Sequence, residues 1–514
     1  MTEFVPYVLI FLAAWLSFSF LGRTFPSRTV LLCLCLWGGY EAVLGLVQLS
    51  GLAISGHPGF AMTGSFDNPG PHGGFLSMCL AAGFAYIVSR YRSLFKGSLA
   101  DMACDIVVTA SSLLCLAVLP ATMSRAGWMG LLAAIILYFT FGGQLRHRVA
   151  THVKSSVLIL VASVALLAVI FFIKKDSAVG RLHIWRIECR AMADNWPAGA
   201  GAGKALGEYG QAQAEFFMEK ERPAAVVRIA GCPEYAFNEY LCAGIEYGIV
   251  GLAAAILLPV CACRNLVRRH EPVGYALVSL SVFAFFSYPL DLWQFRVCLA
   301  AMLGAGFSLR NAPAGLPGRF ALPVVAAVLV SVIAAGYLTY TYLHREKILE
   351  HEMTAAGQLT AMGLYDDAVG CLEPLRKDLG DNYRYLYALG YALHKAGRYS
   401  DSNAVLEAGA GISSDPMFHN IIGKNHEALQ EYDMAEEEFM TAHYMVPSRL
   451  YPLCLLMDMY IGLGMHGEAV RVGRTISGMP VNPRNRNMVR LRDETEEKLD
   501  SLSTYYERGD VPDL

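Results

Sequence analysis

The chain has 514 residues, of which 55% are hydrophobic and only 17% charged, and its mean hydropathy is +0.39. Soluble domains carry about 25% charged residues, so a large share of this chain is suited to lipid. A net charge of −3 with no basic block argues against nucleic acid as a partner.

The chain opens MTEFVPYVLIFLAAWLSFSF, with no basic n-region and no A-x-A-like cleavage site, and reads as a retained span rather than a signal peptide. A spanning helix needs ~20 mostly apolar residues. Ten spans are predicted, at roughly residues 4–21, 29–49, 72–89, 102–120, 126–142, 155–173, 236–262, 273–289, 292–309 and 320–343. Arg23 and Arg28, then Arg90, Arg92 and Lys96, then Arg146, Arg148 and Lys154, then Arg264, Arg268 and Arg269, then Arg310 and Arg319 fall on alternate connections, whereas 50–71 has neither Lys nor Arg. That alternation places the basic loops in the cytoplasm. The N-terminus, residues 50–71, the turn with Arg125, the 174–235 loop and everything after residue 343 are then external.

The tail repeats. Tyr365-Asp-Asp-Ala368, Tyr399-Ser-Asp-Ser402, Tyr432-Asp-Met-Ala435 and His466-Gly-Glu-Ala469 recur at steps of 34, 33 and 34 residues, and Gly390 and Gly423 mark a small position on the preceding helix. This is the period of tetratricopeptide helical hairpins, whose stacked groove suits a protein partner. The expected fold class is therefore all-α: a polytopic α-helical membrane domain over 1–345, then a tetratricopeptide-repeat α-solenoid over 346–500 and a short tail, 501–514.

Most of the 13 cysteines lie in apolar runs and read as small hydrophobes. Cys189 and Cys232 share one polar loop and could form a disulfide, which spacing alone does not decide. No His/Asp/Glu cluster has metal-ligand spacing, and no cofactor is implied.

Three outer-face segments carry polar chemistry. TGSFDNPGPHGG, residues 63–74, holds Asp67, Asn68 and His72 among turn formers. ATMSRAGWMG, residues 121–130, sets Arg125 between two spans, where it either snorkels to headgroups or serves a site. In GRLHIWRIECRAMADNWPAGAGAGKALGEYG, residues 180–210, helical spacing puts Arg181, Trp185 and Glu188 on one face and His183, Arg186 and Arg190 on another. The glycine run is no Walker loop, because Ala198 stands at the first glycine position and Ala205 follows Lys204. It reads as a turn that lets backbone approach membrane or substrate. Arginine forks above a bilayer suit the oxygens of a lipid-linked diphosphate, and a carboxylate or histidine could take an acceptor's proton.

These motifs resemble the O-antigen ligase superfamily, which includes O-antigen polymerases and protein O-oligosaccharyltransferases. Ser124-Arg125 resembles its serine–arginine turn, and Arg181-x3-Trp185 with Pro197-x-Gly199-x-Gly201 resembles its external-loop motif. Asn238-x9-Gly248-x2-Gly251 is similar to the pattern opening its next span. The resemblance covers roughly residues 60–310. Phe237 stands where the family often has histidine, so Glu239, Glu246 or His72 would have to stand in for it.

The resemblance implies a glycosyltransferase of a bacterial inner membrane, with the 174–235 loop and the repeat domain in the periplasm. It would move a glycan from a polyprenyl-diphosphate donor to an acceptor hydroxyl on lipid A core, a glycan or a protein. Arg125 and Arg181 would bind the diphosphate, with Arg186 and Arg190 as further candidates. Glu239 begins a helix whose N-terminal end can meet substrate, and Glu246, seven residues on, lies on nearly the same face. Glu246 and Glu41 are equally readable as buried structural acids. The rival class is a non-catalytic membrane scaffold or a transporter that presents the repeat domain.

Overall fold

The computed structural model describes residues 5–20, 24–141, 175–309 and 318–507. The described residues are helical, with no strand. They divide into two compact units: one of residues 1–178, 237–243 and 250–344, the other of 179–236, 244–249 and 345–514.

The first unit contains α1 (Val5–Phe20), α2 (Thr24–Leu49), α3 (Pro69–Arg90), α4 (Leu99–Val118) and α5 (Arg125–Phe141). Most of α8 (Glu239–Arg268), then α9 (Val273–Phe286), α10 (Trp293–Gly306) and the first part of α11 (Gly318–Ala361) complete it. Helix α3 is the hub, packed on α2, α4, α5 and α9. Small residues make that possible: a Cβ on Gly74 would lie 2.3 Å from the Phe283 ring, and one on Gly83 would lie 2.0 Å from Ser112 Oγ. Between apolar helices in lipid, such close approach is what drives association. Outward apolar residues such as Leu257 and Val260 stay exposed, the pattern of a lipid-facing surface.

Among the described residues four helices are long and apolar enough to cross a membrane: Pro26–Leu49, Pro69–Arg90, Leu99–Thr122 and Glu239–Arg268. Val5–Phe20, Arg125–Thr140, Val273–Phe286 and Val325–Thr341 are apolar but shorter. The ten-span expectation is thus met only in part, and its sixth span, 155–173, lies outside the described residues. The eighth and ninth fall short for a physical reason. Helices α9 and α10 have 14 residues each, about 21 Å against a hydrocarbon core of ~30 Å.

Among the described residues, Arg28, Arg90 and Arg269 of the short basic connections gather at one end of this unit. Arg28 pairs with Asp101, Ser27 with Glu271, and Arg90 with Asp105 at 3.3 Å. Arg269 donates to Ser308 Oγ at 2.6 Å.

The second unit contains α6 (Lys175–Asp194, from Val179 on), α7 (Ala205–Met218) and the helices of the tail. Those are the end of α11, then α12 (Tyr365–Leu372), α13 (Tyr383–Lys395), α14 (Tyr399–Ala410), α15 (Met417–Ala428), α16 (Tyr432–Met445), α17 (Tyr451–Gly462), α18 (His466–Gly478) and α19 (Arg486–Glu507). From α13 to α19 each helix packs on the next.

One turn is built four times. Gly363, Gly397, Gln430 and Gly464 all have positive φ, between 64° and 81°. The amides of Leu364, Arg398, Glu431 and Met465 each donate to the carbonyl five residues back, at 2.8–3.0 Å. This is the Schellman closure of a helix, and each copy leads directly into α12, α14, α16 or α18. The small residue one turn on, Ala368, Ser402, Ala435 or Ala469, is fully buried. Gly390 faces Leu406 and Gly423 faces Phe439, each leaving no room for a Cβ. The sequence period of 33–34 residues is therefore a period of turn and crossing point.

Cys189 and Cys232 are both free thiols: Cys189 is exposed, and the Cys232 sulfur accepts from Arg449 at 3.0 Å. Burial pushes the Cys232 thiol above its ordinary value.

Candidate functional site

Three helix N-termini share the end of the first unit opposite the basic connections. Asn68 caps α3, its side chain accepting from Gly70 N at 2.8 Å. Beside it, Ser124 Oγ donates to Gly70 O at 2.8 Å, and a Cβ on Gly73 would lie 2.3 Å from Ser124 Cβ. The Ser124-Arg125 turn is therefore seated on the head of α3, and Arg125, half-buried, is the first residue of α5.

Asn238 caps α8, accepting from Tyr240 N at 3.0 Å and Leu241 N at 3.1 Å. Glu239, 9% exposed, accepts from Leu290 N in the α9–α10 turn. Phe237 packs edge-on against Tyr288, with ring centroids 5.5 Å apart. Phe283, next to Gly74, shows that the C-terminal end of α9 is level with the head of α3. The dipole at each helix head favours an anion, and half-buried Arg125 lies at one of them.

Arg296 is a cation that the sequence reading missed. Its Nε donates to Leu290 O, so Glu239 and Arg296 hold the N–H and the carbonyl of one residue, Leu290. The signal was present, since a charged residue within the predicted 292–309 span is by default a functional one. Asp291, exposed in the same turn, was also passed over.

Glu41 and His72 occupy a sealed cluster. Glu41 accepts from Ser65 N at 2.9 Å and from Ser65 Oγ at 2.6 Å. His72 Nε2 lies 3.1 Å from the Glu41 carbonyl oxygen, which can only accept. Gln48 uses its whole carboxamide, accepting from Thr63 N at 2.9 Å and Gly64 N at 2.8 Å and donating to Gly64 O at 2.9 Å and Ile54 O at 3.3 Å. Both His72 and Glu41 are 0% exposed. They pin residues 54–66 against α2, and burial keeps His72 from an incoming acceptor in this conformation.

In the second unit the glycine motif and the next helix are one structure. Helix α8 breaks at Gly248, where φ is 58° and ψ is −145°. The backbone groups freed there are taken up by the loop: Ala200 N donates to Ile245 O at 2.8 Å, Gly201 N to Glu246 O at 2.9 Å, and Ile249 N to Pro197 O at 3.1 Å. A Cβ on Gly248 would lie 1.9 Å from Pro197 O, and one on Gly199 would lie 2.5 Å from Glu246 O. The Pro-x-Gly-x-Gly run therefore approaches backbone of its own chain, not membrane or substrate as its composition suggested. Gly248 breaks the helix, and half-buried Glu246 sits in the joint.

Helix α6 turns His183, Ile187, Glu188 and Ala191 inward. Arg181 is half-buried and Arg186 exposed, the latter over the Phe216 ring at 4.9 Å. Arg190 is bound by carboxylates: Glu219 at 2.7 Å, Glu215 at 3.3 Å and Asp194 at 3.9 Å. The hydrogen bond it donates to Glu219 raises its pKa above the ordinary value. Its charge is already balanced, so Arg190 is corrected from a diphosphate candidate to a structural ion pair. The expected shared face of His183, Arg186 and Arg190 also divides, since His183 is buried and Arg186 is not. Among the described residues no group of three or more His, Cys, Asp or Glu side chains could hold a metal ion.

Arg125, Arg181, the Pro197–Gly201 turn, Asn238, Glu239, Glu246, Gly248 and Gly251 all fall in one stretch of chain. Residues 110–256 match the O-antigen ligase family. The match points to a membrane glycosyltransferase-like function in surface-glycan biosynthesis, of ligase or polymerase type. His72 and the tail helices lie outside the matched residues. No curated protein and no solved structure matches the chain.

Proposed function

We propose that the chain transfers a glycan from a polyprenyl-diphosphate carrier to an acceptor hydroxyl at the periplasmic face of a bacterial inner membrane. The observation that supports this most is that all three motifs lie within the single O-antigen ligase match, residues 110–256. The acceptor oxygen attacks the anomeric carbon, the bond to diphosphate breaks, and the leaving group gathers negative charge. Arg125, at the head of α5, and Arg181, on α6, are the cations proposed to stabilise that charge, and Arg186 and Arg296 are weaker contributors. A fixed donor or cation aimed at developing charge is worth ~10²–10³-fold in rate. Glu239, at the head of α8, takes the acceptor's proton in this reading. Glu246 and His72, earlier alternatives, are given positioning roles.

The tail is read as a tetratricopeptide solenoid, on the strength of its four repeated turns, and its groove suits a protein partner. Lipid A core, a growing glycan and a protein hydroxyl all fit the acceptor role.

The test is a deletion strain complemented with wild type, Arg125→Ala, Arg181→Ala or Glu239→Gln at matched protein levels. Glycan is then measured in the carrier, lipopolysaccharide and protein pools. The expected result is accumulation on the carrier and loss from one acceptor pool, which identifies the acceptor. Wild-type distribution in all three variants would discard the transferase reading in favour of a scaffold.

A further inference from the structure

Gln213 is the buried one of three polar residues in the run QAQAEFF of α7, with no motif around it. It is 1% exposed. Its Nε2 donates to two carbonyls, Gly231 O at 2.9 Å and Met445 O at the end of α16. A carbonyl can only accept, so these two contacts fix which end of the carboxamide is nitrogen. The oxygen must then face the other way, and there it accepts from Tyr209 OH at 2.7 Å and from His183 Nε2 at 3.1 Å. His183 therefore carries its proton on Nε2. All four bonding positions of one amide are used, and they join α6, α7, the 230s segment and the repeat helices.

The surrounding contacts follow the same line. Helix α7 packs on α16. A Cβ on Gly207 would lie 2.2 Å from Gly411 O, and one on Gly210 would lie 2.6 Å from Met445 Cε. Ser414 Oγ donates to Pro233 O at 2.8 Å, and Arg449 reaches Cys232. The loop residues 179–236 and the tail are one compact unit. His183 is two residues from Arg181 and on the buried side of the same helix. Burial lowers the His183 pKa below its ordinary value, which favours the neutral ring.

We infer that Gln213 is a positioning residue through which the tail repeats hold helix α6, and with it Arg181, in place. The repeat domain is then part of the diphosphate-binding apparatus and not only a docking surface. This rests on the diphosphate role proposed for Arg181. It also means that deleting the tail cannot separate an enzyme from a scaffold, because either would lose an ordered loop.

The experiment uses full-length protein in lipid nanodiscs with undecaprenyl diphosphate as probe. Hydrogen exchange is read for residues 179–194, with probe binding measured in parallel. Gln213→Leu and Gly207→Ala are each expected to raise exchange in α6 by ~10-fold or more, with α18 and α19 unchanged. Both should weaken probe binding by ~10-fold. Arg384→Ala, which removes an exposed pair with Glu234 at 3.5 Å and a bond to Tyr383 OH at 3.0 Å, should change neither. Gln213→Glu keeps both acceptor contacts and removes both donors, and it gives the same readings if Gln213→Leu does not accumulate. Binding by the double variant Arg181→Ala/Gln213→Leu should be no weaker than by Arg181→Ala alone, because Gln213 acts through Arg181. Unchanged exchange in α6, or additive losses in the double variant, would overturn the inference. Wild-type binding by Arg181→Ala would instead remove the diphosphate role of Arg181, a separate failure that leaves the exchange result to judge the clamp.

Discussion

Each unit holds a buried glutamine that makes four hydrogen bonds, and the two do opposite kinds of work. Gln48 bonds only to residues 54–64, so it closes a loop onto the helix that precedes it. Gln213 bonds to Met445, 232 residues away. The side chain and its saturation are the same in both places. The difference is in reach: one glutamine stabilises a turn, whereas the other makes a loop and a distant helical array into one body. A satisfied amide therefore does not reveal from its chemistry whether it is local or architectural, and only the identity of its partners does.

That contrast can be tested, from the most severe change downward. Gly248→Ala sets a side chain against Pro197 O at a positive φ. It is expected to cost about 4 kcal/mol or more. Protease cleavage throughout 179–236 would report it, and an intact loop would show that the joint tolerates repacking. Gln48→Leu strands the amides of Thr63 and Gly64 and the carbonyl of Gly64, at about 1–3 kcal/mol for each buried group. Its hydrogen-exchange footprint should stay within residues 50–68. Spread beyond α2 and α3 would erase the local–architectural distinction.

A titration follows in size. Burial holds His443 in α16 down to about 4, and its Nδ1 has no hydrogen-bond partner. Because the folded pKa lies below the unfolded value of about 6.5, the contribution is complete above pH 6.5 and is lost as pH falls toward 4. The limit is ~3 kcal/mol at ~1.4 kcal/mol per unit. Exchange of α16 measured from pH 7 to 4 should rise, and His443→Asn should flatten the rise.

The smallest effect belongs to the third repeated turn. Gln430 adopts a φ of 64°, where the other three copies have glycine. Gln430→Gly should stabilise the tail by roughly 0.5 kcal/mol, relieved left-handed strain outweighing lost chain stiffness. A lower denaturation midpoint would show that the glutamine side chain contributes something the turn geometry does not.

The sequence made local regularities legible. The 33–34-residue period marked turns whose hydrogen bonds repeat, and Asn238 was readable as a cap because capping is decided within three residues. Apolar runs located α2, α3, α4 and α8 to within a few residues. Charge alternation grouped the basic connections, and Arg28, Arg90 and Arg269 lie together at one end. What stayed hidden depends on pairing across the chain. The proline–glycine motif and the Asn238–Gly251 motif were seen separately, but no periodicity says that Pro197 accepts from Ile249. Arg190 looked available because its counter-charges, Glu215 and Glu219, lie 25 and 29 residues further on. Gln213 gave no signal, since a glutamine in a polar-to-apolar helix has the pattern of any partly buried surface. The short α9 and α10 were over-counted because hydropathy averages across the turn at 287–292 that ends one and begins the other.

The separation between Gln213 and Met445 is also a duration. Ribosomes add ~5–20 residues per second, so roughly 10–50 s pass between the synthesis of the glutamine and the synthesis of its partner. Throughout that interval α6 and α7 exist without the surface that orders them, while residues 250–344, with their apolar helices, are still being made. Until Met445 is made, Gln213 lacks one of the two carbonyls to which it donates. A chain that stops short of residue 445 never makes that bond, and on the inference above its α6 is never held in place.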